Sequence, residues 1–208
     1  MNWNDLIAEV PRLAYGSHAE LGNELCFMEM TAFLAGEPHS DHPECACPVL
    51  TAYGIRLNDS GQEYRDLLTP LVPMMIGTRN DDLEAERRKH LVFGVAKRIV
   101  APMLAKHIDQ IYVQSILGAE DYESLRLACE EAQAKARAAY AANAAANAVA
   151  YAAATNAADA AAYAAAYADD DAYRNTAVDI LREAIELDPN LKPIQLDMGR
   201  VERLKELC

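Results

Sequence analysis

The chain has 208 residues, of which 25% are charged, and its formal net charge is −13. This charge disfavours non-specific attraction to nucleic acid or anionic membranes, so we expect neither kind of partner. No basic segment followed by an apolar one opens the chain, and no run of about 18 apolar residues follows, so we predict neither a signal peptide nor a membrane span. Five cysteines, an odd number, do not indicate a disulfide framework, and we expect a reduced, cytoplasmic protein.

The first part of the chain, residues 1–118, predicts a compact domain of several short helices. Gly36 followed by Pro38 gives a stop signal for a helix over 21–35, and Asn80 is a predicted N-cap. Helical patterns cover residues 4–13, 21–35, 49–58, 62–76, 80–100 and 102–117. No strand alternation interrupts them, so the predicted fold class is all-α.

The remainder, residues 119–208, is dominated by alanine, which makes up 24 of the 37 residues from 132 to 168. Because alanine has the highest intrinsic helix propensity, we predict one long helix over about 121–168, with Asp121 as its N-cap. A helical hairpin folded around Ala153–Asn156 is the alternative. Short C-terminal helices are predicted at about 171–188 and 197–207.

The predicted alanine-rich helix has two unlike faces. Tyr151 and several Asn, Thr and Asp residues share one arc, whereas the opposite arc is bare alanine apart from Val149. A helix gains little stability without tertiary packing, so the alanine arc is expected to pack on another helix, as in a coiled coil. That helix belongs either to the same chain or to a second subunit, and a homo-oligomer is the expected assembly.

One segment concentrates side chains that bind metals, the loop of residues 36–48, called here the His/Cys loop. Its spacing is H-x2-H-x2-C-x-C, and imidazole and thiolate are the donors that zinc prefers. Further candidates lie upstream and reach the loop if the chain folds back on itself. The candidate zinc ligands are His39, His42, Cys45 and Cys47 in the loop, with His18, Cys26 and Glu29 upstream.

The same residues allow other chemistry. His39 and His42 with one carboxylate, Glu29 or Glu37, would form an open two-His-one-carboxylate site. Cys26 or Cys45 beside a histidine would be a nucleophile. A structural interpretation is also open, in which the histidines bind backbone groups of a tight loop and the cysteines are small buried apolar residues.

The chain resembles a group of uncharacterised bacterial and phage proteins that carry alanine-rich tails. The resemblance covers about residues 15–105. It is carried by Tyr15-Gly16-Ser17-His18, Cys26-Phe27-Met28-Glu29, Ala35-Gly36-Glu37, His39-Ser40-Asp41-His42-Pro43 and Cys45-Ala46-Cys47-Pro48. It implies a shared helical module and no particular reaction.

Three functions therefore remain open from the sequence. The first is a helical interaction or oligomerisation protein whose His/Cys loop is stabilised by zinc. The second is a metal- or thiol-dependent enzyme with its site at His39, His42, Glu29 and Cys26. The third is an acidic inhibitor of the phage type that binds a host protein.

Overall fold

The computed structural model describes residues 3–136, 140–155, 162, 164, 171–192 and 194–207. Over these residues the fold is all-α, as predicted, and the only extended pairing is a single parallel bridge between Leu13 and Leu25. Among the described helices none has both the length and the apolar character needed to cross a membrane.

The chain divides into two compact units. The first unit comprises Met1–Glu84 together with Ile185–Cys208, and the second comprises Ala85–Ala184. This division differs from the boundary expected at residue 118, because the C-terminal segment packs on the N-terminal helices. Within the first unit Arg200 donates from Nη1 to the Phe33 carbonyl at 3.1 Å, and Lys205 pairs with Glu9 at 2.7 Å.

The first unit is built from short helices around one buried helix. Its helices are α1 (Trp3–Leu6), α2 (Phe27–Ala35), α3 (Pro48–Asn58), α4 (Gln62–Leu68), α5 (Val72–Met75) and, near the C-terminus, α12 (Met198–Lys205). Single 3₁₀ turns lie at Ile7–Glu9, Thr69–Leu71 and Asp81–Leu83. Helix α2 is apolar on nearly all sides and packs against α3, α5 and α12, so it forms the core of the unit.

Helix α2 ends where the sequence predicts and starts later. Gly36 adopts a left-handed conformation with φ 84°, and its N–H and that of Glu37 return to the last turn, which closes the helix. The predicted start at Leu21 is wrong, because the helix begins at Phe27 with Cys26 as its N-cap, and Leu21 is 46% exposed.

The second unit contains the remaining helices. They are α6 (Glu84–Val95, whose first residue belongs to the first unit), α7 (Ala101–Leu104), α8 (Gln110–Gly118), α9 (Tyr122–Lys135), α10 (Tyr140–Thr155) and α11 (Asp171–Glu186, whose last two residues belong to the first unit). A π-helical segment, Ala96–Val100, joins α6 to α7 without a break. At the end of this segment Ala101 donates to the Ala96 carbonyl, five residues earlier, as is typical of a π-helix. Pro102, the next residue, has no N–H to donate.

The alanine-rich tract is folded back on itself. Helix α9 ends at Lys135, and α10 packs against α9, α7 and the π-helical segment, so the prediction of one continuous helix from 121 is wrong. Of the alternative hairpin turn expected at Ala153–Asn156, residues 153–155 form the last turn of α10, and Asn156 lies outside the described residues. Residues 137–139, Asn156 and most of 157–170 lie outside the described residues.

The two faces of the alanine helix are placed as predicted where the structure describes them. Val149 is fully buried with Ala145 and Ala152, whereas Tyr151 is 60% exposed. The bare alanine face therefore packs within the same chain, which was one of the two expected arrangements.

Two close contacts hold α6 against α11 inside the second unit. The side chain of Arg87 is fully buried, and its Nε donates to the Ala184 carbonyl at 3.1 Å, near the C-terminal end of α11. At Gly94 a Cβ atom would come within 3.0 Å of Cγ2 of Ile180. The glycine thus lets the two helices approach closely, since even a methyl group at this position would require Ile180 to shift.

Candidate functional site

Among the described residues, four of the predicted ligands lie together around one carboxylate, that of Glu29. Glu29 occupies the first turn of α2 and is 1% exposed. Its Oε2 accepts from the backbone N–H of Cys26 at 2.7 Å, and its backbone N–H donates to Cys26 Sγ at 3.4 Å. This reciprocal pair is a capping box, with a cysteine where serine or threonine is usual.

His18 binds the other side of the same carboxylate. Its backbone N–H donates to Glu29 Oε1 at 2.5 Å, and its ring Nδ1 lies 2.7 Å from Oε2. An ionised carboxylate only accepts, so Nδ1 carries the proton and Nε2 is an acceptor in the neutral ring. Nε2 lies 3.9 Å from Oε2 of Glu24, a residue whose side chain is 73% exposed.

His39 completes this arrangement, called here the Glu29 cluster (Glu29, Cys26, His18 and His39). Its Nε2 lies 2.9 Å from the carbonyl oxygen of His18 and 3.7 Å from Glu29 Oε1. Its Nδ1 is buried and has no hydrogen-bond partner among the described residues. The cluster therefore ties the loop before α2 and the start of the His/Cys loop to one helix N-terminus.

The buried carboxylate is held in its ionised form. Burial raises the pKa of Glu29, but the backbone donors of Cys26 and His18 and the His18 ring outweigh burial and leave the pKa below its ordinary value. The positive end of the α2 dipole favours the same charge. Glu29 thus acts as an anionic acceptor whose hydrogen bonds are taken up inside the protein.

Two cysteines of the predicted site, Cys26 and Cys45, are held as thiols. Burial raises the pKa of Cys26 to about 12 and that of Cys45 to about 11. Cys47 is fully buried at the start of α3, where its backbone N–H donates to Thr78 Oγ1 at 3.0 Å. Since the thiolate is the form that attacks a substrate, the surroundings of Cys26 and Cys45 do not favour a nucleophilic role.

The remaining candidate ligands do not join the Glu29 cluster. His42 is 71% exposed and its Nδ1 lies 2.8 Å from Oδ1 of Asp41. Glu37 closes the His/Cys loop by accepting from the backbone N–H groups of Glu44 and Cys45 at 2.6 and 2.8 Å. The carboxylate of Glu29 lies beside His18 and His39, and His42 does not reach it. The two-His-one-carboxylate site expected from His39, His42 and Glu29 is therefore not formed.

The zinc hypothesis finds no support in the part of the chain that the structure describes. Within it, no three side chains of histidine, cysteine, aspartate or glutamate are grouped so as to hold a metal ion. The two loop histidines, three positions apart, contact different groups: His39 lies at the His18 carbonyl and His42 at the Asp41 carboxylate. Of the seven predicted ligands, hydrogen bonds and close polar contacts join His18, Cys26, Glu29 and His39. Among the described residues, the polar contacts of His42, Cys45 and Cys47 go to other groups.

A second feature of the first unit, which the sequence did not predict, is a groove of about 800 Å³. Its lining is mainly apolar and comes from both ends of the chain. We call it the apolar groove, and its lining includes Trp3, Ile76, Leu191, Ile194, Leu196 and Met198. Volumes of about 300–1,000 Å³ are typical of ligand-binding clefts.

The apolar groove has an exposed wall and a polar rim. Ile194 and Met198 are 38% and 39% exposed, while Trp3 is 5% exposed and its indole N–H donates to the Thr69 carbonyl at 2.9 Å. The charged residues of its lining, called here the polar rim, are Glu186, Asp188 and Lys192. Because the indole N–H is already bonded, the groove offers apolar contact more than hydrogen bonding.

No protein family, curated protein or solved structure matches the chain.

Proposed function

We propose that the protein is a helical binding module whose apolar groove takes an apolar segment of a partner protein. The observation that carries this proposal is the groove itself, a cleft of about 800 Å³ with two apolar side chains, Ile194 and Met198, open to solvent. Covering such surface contributes about 25 cal/mol per Å² of apolar area removed from water.

The Glu29 cluster supports the groove as scaffold. Its hydrogen bonds fix the N-terminus of α2, and α2 packs on α5, whose neighbouring residue Ile76 lines the groove. A rigid scaffold lowers the entropy lost when a partner binds.

The enzymatic alternative has less support. A nucleophilic role for Cys26 conflicts with its raised pKa of about 12, and His42 does not reach Glu29. The His18–Glu29 pair has the orientation of a general base, but the thiol of the same cluster, that of Cys26, is engaged in capping α2, where it accepts from the Glu29 N–H. We therefore favour binding over catalysis.

The protein contains a single tryptophan, Trp3, and this residue lines the apolar groove, so its fluorescence reports on occupancy. A neutral amphipathic peptide of Leu and Gln, about 15 residues long so that it can form a helix, is the probe. We expect saturable quenching or a spectral shift of Trp3 on titration.

Two variants locate the binding site. Met198→Asp places a charge on the exposed wall of the groove, at a helix N-terminus that tolerates acids, and is expected to abolish the fluorescence change. Ile111→Asp makes the same kind of change at a 66% exposed residue outside the groove and is expected to bind like the parent. Absence of binding by the parent, or equal binding by Met198→Asp, would contradict the proposed function.

A further inference from the structure

The negative charge of the protein is concentrated in the unit that contains the apolar groove. Residues 1–84 and 185–208 carry 19 acids against 8 bases, a net charge of −11 out of the total of −13. A potential of one sign over a binding surface steers oppositely charged partners and repels those of like charge. Any segment that approaches this groove therefore does so in a negative field.

The groove rim places acidic groups beside the apolar lining. Glu186 is the last residue of α11 and its side chain is exposed, and Asp188 follows two residues later. The carboxylate of Asp188 is fixed in place, since Oδ2 accepts from Asn80 Nδ2 at 3.0 Å and Oδ1 accepts from the Asn190 N–H at 2.9 Å.

Lys192 is the single basic residue among the groove-lining positions that the structure describes. It offsets one acidic charge of the lining, and the net charge of −11 of the surrounding unit keeps the field over the groove negative. The rim therefore discriminates by charge, while the lining supplies contact area.

We propose that the occupant of the apolar groove is a basic amphipathic helix of a partner protein. An amphipathic helix presents apolar residues at i, i+3, i+4 and i+7, which fit a groove lined by side chains such as Ile194 and Met198. Lysine or arginine residues flanking that face meet the exposed carboxylate of Glu186 in the negative field of the unit. This inference rests on the proposed function, and it adds the charge of the partner.

The test compares three peptides of about 15 residues that share the same leucine positions and carry Lys, Gln or Glu elsewhere. Binding is followed by the fluorescence of Trp3 at low and at raised ionic strength. We expect the Lys peptide to bind at least about tenfold more tightly than the Glu peptide at low salt. The difference should shrink as salt shortens the Debye length to about 10 Å at 0.1 M.

Two charge-matched variants separate the rim from the general field. Glu186→Gln should weaken binding of the Lys peptide about two- to fivefold and leave the Gln peptide unchanged. Glu206→Gln removes an equal charge from an exposed position of the same unit outside the groove lining and should leave both unchanged. Met198→Asn makes the same wall of the groove polar without adding a charge, and it should weaken binding of both the Gln and the Lys peptides. Unchanged binding of the Lys peptide by this variant would reveal binding elsewhere and overturn the inference.

The outcomes distinguish the two proposals. If the Gln peptide binds and the Lys peptide binds no more tightly, the charge preference is wrong and the proposed function stands. If none of the three peptides changes the Trp3 fluorescence, the proposed function itself is wrong. Equal effects of Glu186→Gln and Glu206→Gln would remove the rim from the account of specificity.

Discussion

Replacing Glu29 by glutamine tests whether the Glu29 cluster stabilises the first unit. The carboxylate accepts three hydrogen bonds, from the Cys26 N–H, the His18 N–H and the His18 ring, and it is 1% exposed. Glutamine has nearly the same shape but one acceptor oxygen and one NH₂ group. At least one donor of Cys26 or His18 must then face another donor.

The expected cost follows from those contacts. A hydrogen bond to a charged group contributes about 1.5–3 kcal/mol, and a buried donor left unpaired costs about 1–3 kcal/mol. We therefore expect Glu29→Gln to lower the free energy of unfolding of the first unit by about 2–4 kcal/mol. The control is Glu24→Gln, whose side chain is 73% exposed and which should cost less than about 0.5 kcal/mol.

The assay is urea unfolding followed by the fluorescence of Trp3, which lies in the same unit as Glu29. The pKa of Glu29 is lowered in the folded state, so its contribution is fully present above the unfolded pKa near 4.5 and is lost as pH falls through the folded pKa. The difference between parent and Glu29→Gln should thus be largest at pH 7 and shrink below about pH 4. Equal stability at pH 7, or a difference that grows on acidification, would refute this account of the cluster.

Three further predictions concern packing and thiol chemistry. Gly94→Ala should destabilise the second unit by about 1–3 kcal/mol in thermal unfolding, because its Cβ would meet Ile180. The control, Gly118→Ala, has open space around it and should be neutral or stabilising. Equal effects of the two variants would contradict the close approach of α6 and α11. Tyr122→Phe should stabilise the second unit by up to about 1 kcal/mol, because the Tyr122 hydroxyl is buried without a hydrogen-bond partner among the described residues. A loss of stability would show instead that the hydroxyl makes a hydrogen bond in the folded protein. Because burial raises the pKa of Cys26 to about 12, its thiol should resist iodoacetamide at pH 8 until the protein is unfolded. Mass spectrometry of the peptide that contains Cys26 measures the labelling. Rapid labelling of the folded protein would show that the thiol is activated.

Much of the fold follows from local sequence. Gly36 predicts the end of α2, and Asn80 and Asp121 act as N-caps in the structure as predicted, because each supplies a local conformation or acceptor that a neighbouring N–H requires. These features depend on residues a few positions apart. Sequence patterns report such short-range interactions directly.

The start of α2 and the fold of the alanine tract are less visible in the sequence. Cysteine is an uncommon N-cap, so the sequence does not indicate that Cys26 and Glu29 form a capping box. Their residue types favour the interpretation as a pair of metal ligands. In the alanine tract, helix propensity is nearly uniform across the end of α9, and the packing of α10 on α9 decides where the helix stops. Propensity alone therefore favours one long helix.

Residue type indicates which side chains of the candidate site are polar and able to bind one another, but not what they do. His18, Cys26, Glu29 and His39, which the sequence predicts as metal ligands, lie together, and their contacts cap α2 and hold the neighbouring loops. The apolar groove escaped prediction because its lining joins Trp3 to residues nearly two hundred positions later in the chain. No periodic pattern records such a contact.

The most direct test of the binding account is methyl NMR of the full-length protein with and without the amphipathic Lys peptide. Shift changes centred on the methyl groups of Ile76, Leu191, Ile194 and Met198, which line the apolar groove, are the predicted result. Changes confined to other exposed apolar residues such as Ile111 and Leu117, or no changes at all, would contradict it.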